Sequence, residues 1–294
     1  MNKSLRAVAF AAVLLTVALV SSGCNKLKAR DQLNKGVQNY KSMHYESAIE
    51  NFKNAVALDP KLSVAQLYLA TAYAQSVVPG VDTPENNQNA EQAIAAFKKV
   101  IDDPKSDKQT RVASLKGIAS IYFNQANGLA QSSSKNFDAA FQKLEQAKEY
   151  QKKIISEDPS DADAHYTIGV IDWTETFKPR MEARSKMGIT KAEDPIKDKK
   201  ACADLQGRNK PIVDEGINEL QEAMKDRADY DDAMAYMNLM YREKADIECG
   251  DNGARSEDLK TADNWFQKTT ETKKAKAEKQ MQQSGIVLDN PQKK

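Results

Sequence analysis

The sequence predicts an all-α protein built from repeated helical hairpins, and three observations carry that prediction. Only 12 glycines and 9 prolines interrupt 294 residues rich in Ala, Lys, Gln, Glu and Leu, side chains that lose little rotamer freedom in a helix or have none to lose. Period-two runs of Val, Ile, Thr and aromatics between turn residues, the mark of strands, are missing. One spacing of small, aromatic and proline residues recurs along the chain, as a stacked-repeat architecture requires.

The N-terminal segment decides where the repeats work. After Lys3 and Arg6, an apolar run extends from Ala7 to Val20. That is about fourteen residues, whereas a membrane-spanning helix needs roughly twenty at 1.5 Å rise per residue. A basic start, a short apolar stretch and small residues at its end form the pattern of a secretory signal, so residues 1–23 are expected to direct export. Val20-Ser21-Ser22-Gly23-Cys24 resembles a bacterial lipobox. In that motif the cysteine thiol receives diacylglycerol and cleavage falls just before it, which implies lipidation at Cys24. Ser21 stands where the motif usually has Leu, and a plain signal peptide with an incidental Cys24 is the competing reading. Several acyl chains on one residue make an anchor stable, at about 0.8 kcal/mol per buried methylene. Asn25 after the cysteine leans, by the same resemblance, toward the outer membrane facing the periplasm. Residues 24–30 are then a short lipid-anchored linker.

The first hairpin is expected over 31–60. Gly36 is small where two helices cross, Ala48 and Ala55 are small on the second helix, Phe52 fills the gap between them, and Pro60 ends the unit. With Tyr45, this spacing resembles the tetratricopeptide repeat, a helix-turn-helix unit of 34 residues. The resemblance implies a tetratricopeptide-type solenoid of about five repeat pairs over 31–269, stacked as one right-handed superhelical array. A single pair cannot bury its apolar face, but neighbours stacked on it can.

The second unit, 63–104, has Leu69, Ala70 and Tyr73 on its first helix and Ala93, Phe97 and Val100 on its second. The stretch SVVPGVDTPENNQN, with two prolines and a glycine, is expected as an insertion at 76–89. The third unit, 108–159, runs from Val112, Leu115, Ile118 and Tyr122 through a polar loop at 127–136 to Ala147, Ile154 and Pro159. In the fourth, 162–227, Ile168 and Gly169 stand in the family relation, and Gly216, Leu220 and Ala223 mark the partner helix. Residues 174–210 between them are expected to form an extra helical excursion. The fifth, 229–269, has Tyr230 at its junction, Met237 and Tyr241 on one helix and Ala262, Phe266 and Thr269 on the other, with Asn238 at the usual glycine. Residues 270–294 keep helix-forming side chains without an apolar stripe and are expected as a polar helix or tail.

Little in the sequence suggests catalysis. The formal net charge is +1, which lacks the basic footprint of a nucleic-acid binder. The two histidines, His44 and His165, have no evident nucleophile or ligand partners, and no glycine-rich phosphate loop occurs. No cofactor and no metal are expected, and the chain is expected not to be an enzyme. Asp158, Asp161 and Asp163 alternate but lack the glycine of a calcium loop, so helix capping explains them better. Met234, Met237 and Met240 recur at the spacing of a buried helix face. Trp173 and Trp265 are expected as packing anchors, with a groove contact as the other reading. If Cys24 carries lipid, Cys202 and Cys249 remain in an oxidising compartment. Cys202 begins the second helix of the fourth unit and Cys249 ends the first helix of the fifth. Antiparallel packing puts those ends on one edge, so a disulfide is expected, with two free thiols as the alternative.

The resemblance implies a membrane-anchored scaffold for protein or peptide partners, held on a concave wall of first helices. The candidate groove residues are Asn34, Gln38, Tyr68, Thr71, Tyr166, Trp173, Tyr236 and Leu239. Two other classes stay open. One is a periplasmic binding module for a small ligand, peptide or cell-wall fragment; the other is an enzyme with its site in 174–210.

Overall fold

The computed structural model describes residues 24–131 and 136–283. The expected signal peptide, the lipobox residues before Cys24 and the end of the tail lie outside the described residues. The chain forms two compact units, Met1–Tyr150 and Gln151–Lys294.

In the first unit, residues 24–41 form helix α1. It is followed by α2 (Tyr45–Leu58), α3 (Ser63–Ser76), α4 (Pro84–Ile101), α5 (Lys108–Gln131) and α6 (Phe137–Glu157), whose last residues belong to the second unit. Residues 24–30 are helical, so the expected linker is part of α1. The crossing of α1 and α2 is as close as the spacing predicts: a Cβ on Gly36 would lie 2.4 Å from Phe52 Cε1. Ala48, Phe52 and Ala55 are fully buried, and Phe52 stacks on Tyr68 of α3 with ring centroids 5.4 Å apart. The same device recurs where α4 meets α5, since a Cβ on Gly117 would lie 2.6 Å from the Phe97 ring. Gly36→Ala is expected to destabilise the first unit by about 1–3 kcal/mol, because overpacking exceeds the gain in helix propensity. Urea unfolding followed by hydrogen exchange in α1 and α2 measures this; an unchanged midpoint would contradict the close crossing.

Two expected insertions are shorter than the sequence suggests. The 76–89 segment is a loop only over 77–83, because Pro84 opens α4 instead of breaking it and the Thr83 hydroxyl accepts the Asn86 amide. Asn86 then ties the loop down: its side-chain oxygen accepts from Val78 N at 2.7 Å, and its amide donates to Val78 O at 3.0 Å and Val81 O at 2.7 Å. The 127–136 segment is helical as far as Gln131. It continues because Gly128 lets the Gly80 turn, at φ 76°, seat on α5; a Cβ there would lie 3.1 Å from the Gly80 carbonyl carbon. Residues 132–135 lie outside the described residues.

The second unit holds α7 (Ala162–Lys186), α8 (Lys199–Asp226), α9 (Asp231–Asp246) and α10 (Asn252–Gln283). The expected excursion at 174–210 is not a separate element. α7 continues through Pro179 to Lys186, α8 begins at Lys199, and only 187–198 connects them. An interior proline costs a backbone hydrogen bond. Here the neighbouring Thr176 carbonyl is taken by the buried Asn209 amide of α8 at 3.1 Å. Gly169 of α7 meets Leu220 of α8, with a would-be Cβ 2.5 Å from Leu220 Cγ. At the corresponding place in α9, Asn238 replaces the bare crossing with a hydrogen bond, its amide donating to Ala262 O at 2.6 Å. Residues 270–283 continue α10 instead of forming a separate helix, and Lys276 ties them to Asp231 at the start of α9 at 2.6 Å. The core between these helices contains Val213, Leu220, Ala233, Met237 and Met240, all fully buried.

Candidate functional site

The aromatic side chains of α7 and α9 form a row across the second unit. Tyr166 lies 4.9 Å from Tyr230 and 5.6 Å from Tyr236, ring centre to ring centre. Tyr236 meets Trp173 edge to face at 5.5 Å, and Trp173 lies 4.9 Å from Phe177. Such tilted and edge-on pairs add about 0.5–1.5 kcal/mol each to the area they bury. The row arises because Tyr166, Trp173 and Phe177 are spaced at seven and four residues on α7, which returns them to one face. It ends in exposed apolar surface, with Phe177 at 37% and Met181, one turn further, at 42%. Arg180 lies over the Phe177 ring.

The tyrosine end is polar. Tyr230 donates its hydroxyl to Asp163 Oδ1 at 2.8 Å, Arg227 donates to the same oxygen at 3.0 Å, and the Arg227 guanidinium covers the Tyr230 ring. Burial, then the neighbouring tyrosine and aspartate charges, holds the Tyr166 phenol far above its ordinary range. Burial and the Asp163 hydrogen bond do the same for Tyr230. Both stay neutral phenols at any physiological pH.

Tyr166, Trp173 and Tyr236, three of the sequence-derived groove residues, are thus together and half-buried. Leu239 is half-buried on α9. In the first unit, Asn34 and Gln38 are exposed on α1. Tyr68 turns instead toward Phe52 as packing, and Thr71 returns its hydroxyl to Leu67 O at 2.8 Å.

A second feature of this unit escaped the sequence, which suggested a helical excursion in 174–210 without pairing its charges to those of α9 and α10. Glu243 and Asp246 of α9 are buried against Arg180 and Arg184 of α7 and Arg255 of α10. Arg180 approaches Glu243 at 2.9 Å, and Arg184 bonds Asp246 Oδ2 at 2.8 Å. Arg184 also holds the α7–α8 connection, donating to the Asp194 and Lys191 carbonyls. Burial pushes the Glu243 carboxyl up to about 8; Arg180 opposes that, and Asp246 adds to it. The only trace in the sequence is charge at one-turn spacing, Arg180 with Arg184 and Glu243 with Asp246, which exposed helices show equally often.

Cys202 and Cys249 form a disulfide with their Cα atoms 5.6 Å apart. It joins the first turn of α8 to the α9–α10 connection. Cys24 is exposed and free. His165 is buried, with Nδ1 2.6 Å from Glu219 and Nε2 3.1 Å from Pro159 O. Burial draws its pKa down, but the Glu219 and Pro159 hydrogen bonds outweigh that and raise it. Asp161 caps α7 by accepting the Ala164 amide at 3.0 Å, while Asp163 serves Tyr230 and Arg227. Met234, Met237 and Met240 are core residues. Among the described residues no group of three His, Cys, Asp or Glu side chains could hold a metal ion, and no helix is long and apolar enough to cross a membrane.

No protein-family model matches the chain, and no curated protein matches it. Solved structures similar to it include MamA, at 17% identity over 85% of this chain and 94% of that one, with a TM-score of 0.46. YrrB, described as a TPR protein with an unusual peptide-binding site, is 12% identical over 83% and 90% of the two chains, with a TM-score of 0.43. A thermophilic TPR protein of Thermus thermophilus is 17% identical over 72% and 98%, with a TM-score of 0.35.

Proposed function

We propose that the chain is an exported, lipid-anchored tetratricopeptide scaffold of the bacterial cell envelope. In this reading the α7–α9 face holds a segment of a partner protein, and the chain works by binding and not by catalysis. The row from Tyr230 through Tyr166, Tyr236 and Trp173 to exposed Phe177 and Met181 carries this reading. Rigid aromatic rings offer large contact area at little cost in conformational entropy, which is why they dominate recognition surfaces. The Tyr230 hydroxyl is already given to Asp163, which leaves the neutral Tyr166 phenol to donate to a partner's backbone carbonyl, so a segment with spaced apolar side chains fits this face best. The lipobox resemblance at Cys24 supports the tether, and Asn25 supports placement at the outer membrane facing the periplasm.

The Phe177→Ser/Met181→Ser double variant tests the binding face, since both side chains are exposed and their loss leaves the core intact. Crosslinking of the lipidated protein in its native envelope is expected to recover about tenfold less partner from this variant, the equivalent of about 1.4 kcal/mol. Unchanged recovery at unchanged thermal stability removes the α7–α9 face from consideration. Independently, Cys24→Ala is expected to move the protein from the membrane fraction to the soluble one. Retention in the membrane defeats the tether and leaves the binding face untouched.

A further inference from the structure

The second unit also contains a cavity of about 600 Å³ beside the disulfide, formed by the α7–α8 connection, the start of α8, the end of α9 and the start of α10. Its volume falls within the roughly 300–1,000 Å³ of small-molecule sites. Lys197, Lys199 and Arg255 line it, together with the first residue of α10, Asn252. Asp251 already caps the start of that helix, accepting the Ala254 amide at 2.9 Å, so the side-chain cations and not the helix end supply the positive field.

Arg255 is the informative member. Its side chain is 10% exposed, yet Nη2 reaches Asp246 Oδ1 only at 3.4 Å and Ala192 O only at 3.5 Å. Ordinary N–H to O bonds are 2.7–3.2 Å long. Its Nε has no hydrogen-bond partner. That nitrogen is shielded from the cavity, so a ligand would meet the guanidinium through its Nη atoms, of which Nη2 makes only these two long contacts. Two carboxylates oppose the cations: Asp246, already shared with Arg180 and Arg184, and Glu248 in the lining. The walls are held in place, since the Cys202–Cys249 bond fixes the start of α8 against the turn at Gly250, where φ is 82°. Ile196, Pro195 and Ala245 supply apolar surface for a ligand body.

We infer that this cavity binds a small molecule bearing an oxyanion head, a phosphate monoester or a carboxylate, with Arg255, Lys197 and Lys199 on the head. This site is separate from the α7–α9 face and does not depend on the partner proposed there.

Calorimetric titration of the oxidised mature protein with glycerol phosphate and with succinate, each against potassium chloride at matched ionic strength, tests the inference. Saturable binding is expected for at least one of the two at a dissociation constant of about 1 mM or lower. Glycerol phosphate alone identifies the phosphate head and succinate alone the carboxylate. Lys197→Gln/Lys199→Gln, two exposed positions, is expected to weaken that binding about tenfold without altering thermal stability. Reduction of the disulfide below the unfolding temperature is expected to weaken it as well. Heats no different from those of chloride, or binding unchanged in the double variant, overturn the inference.

Discussion

Raising the pH from about 5 to about 9 is expected to destabilise the second unit by roughly 3 kcal/mol, and Glu243→Gln is expected to remove most of that loss. The Glu243 side chain is fully buried, and its carboxyl titrates near 8 against an ordinary value of 4.5. Between those values the folded protein keeps a proton that the unfolded chain releases. The stability it represents is therefore whole below about 4.5 and is lost as the pH rises through about 8. Gln presents the shape of the protonated acid and does not titrate. A smaller slope persists in the variant because the His165 pKa is also raised, and its contribution fades as the pH climbs above the ordinary histidine range. Trp173 and Trp265 both lie in the second unit, so their fluorescence during urea unfolding at several pH values reports this transition. The Cys24→Ala form lacks the free thiol and so excludes thiol exchange at the alkaline end. A wild-type profile that is flat over this range, or one that Glu243→Gln leaves equally steep, is incompatible with a proton held on that side chain.

Loss of the Cys202–Cys249 disulfide is expected to cost the second unit about 4 kcal/mol. The bridge closes a loop with a sequence separation of 47 residues, and the chain-entropy relation gives that figure for a loop of this size. It spans the α8 start and the α9–α10 connection, so the unbridged chain has more unfolded conformations while the buried ion pairs still draw α7, α9 and α10 together. Cys202→Ala/Cys249→Ala is the variant of choice, because a lone cysteine leaves a reactive thiol. Its tryptophan-detected unfolding midpoint should fall by several degrees, whereas hydrogen exchange around Phe52 in the first unit should be unchanged. An unaltered midpoint in the double variant would show that the crosslink contributes nothing to stability.

The hairpins were legible in the sequence because they depend on local facts. Gly36, Phe52, Gly169 and Leu220 stand at positions that spacing and the repeat resemblance single out, and the structure shows the glycines meeting the large side chains. Connection lengths were legible only in part. Pro84 and Pro179 both look like interruptions in one dimension, yet one starts a helix and the other lies within one. The first is settled locally, by the Thr83 cap and by Asn86 within eight residues, whereas the second depends on tertiary packing, with Asn209 satisfying a neighbouring carbonyl from 33 residues away. Tyr166, Trp173, Tyr236 and Tyr68 can be read from helix faces; that the first three rings meet and that Tyr68 stacks on Phe52 is seen only in the packed structure.

The sequence by itself determined an all-helical chain of paired repeats and placed two cysteines at neighbouring helix ends, since periodicity, small residues and proline act within one or two turns of chain. Its lipobox-like segment supplies the expectation of a tether at Cys24. Only the tertiary structure decided which charges are buried. Arg180, Arg184, Glu243, Asp246 and Arg255 come from three helices, and whether each is solvated or paired in the interior depends on partners as many as 66 residues away, as from Arg180 to Asp246. Charge carries no local sign of its burial; the packing around it sets the local dielectric environment, and with it the cost of the charge and its protonation state.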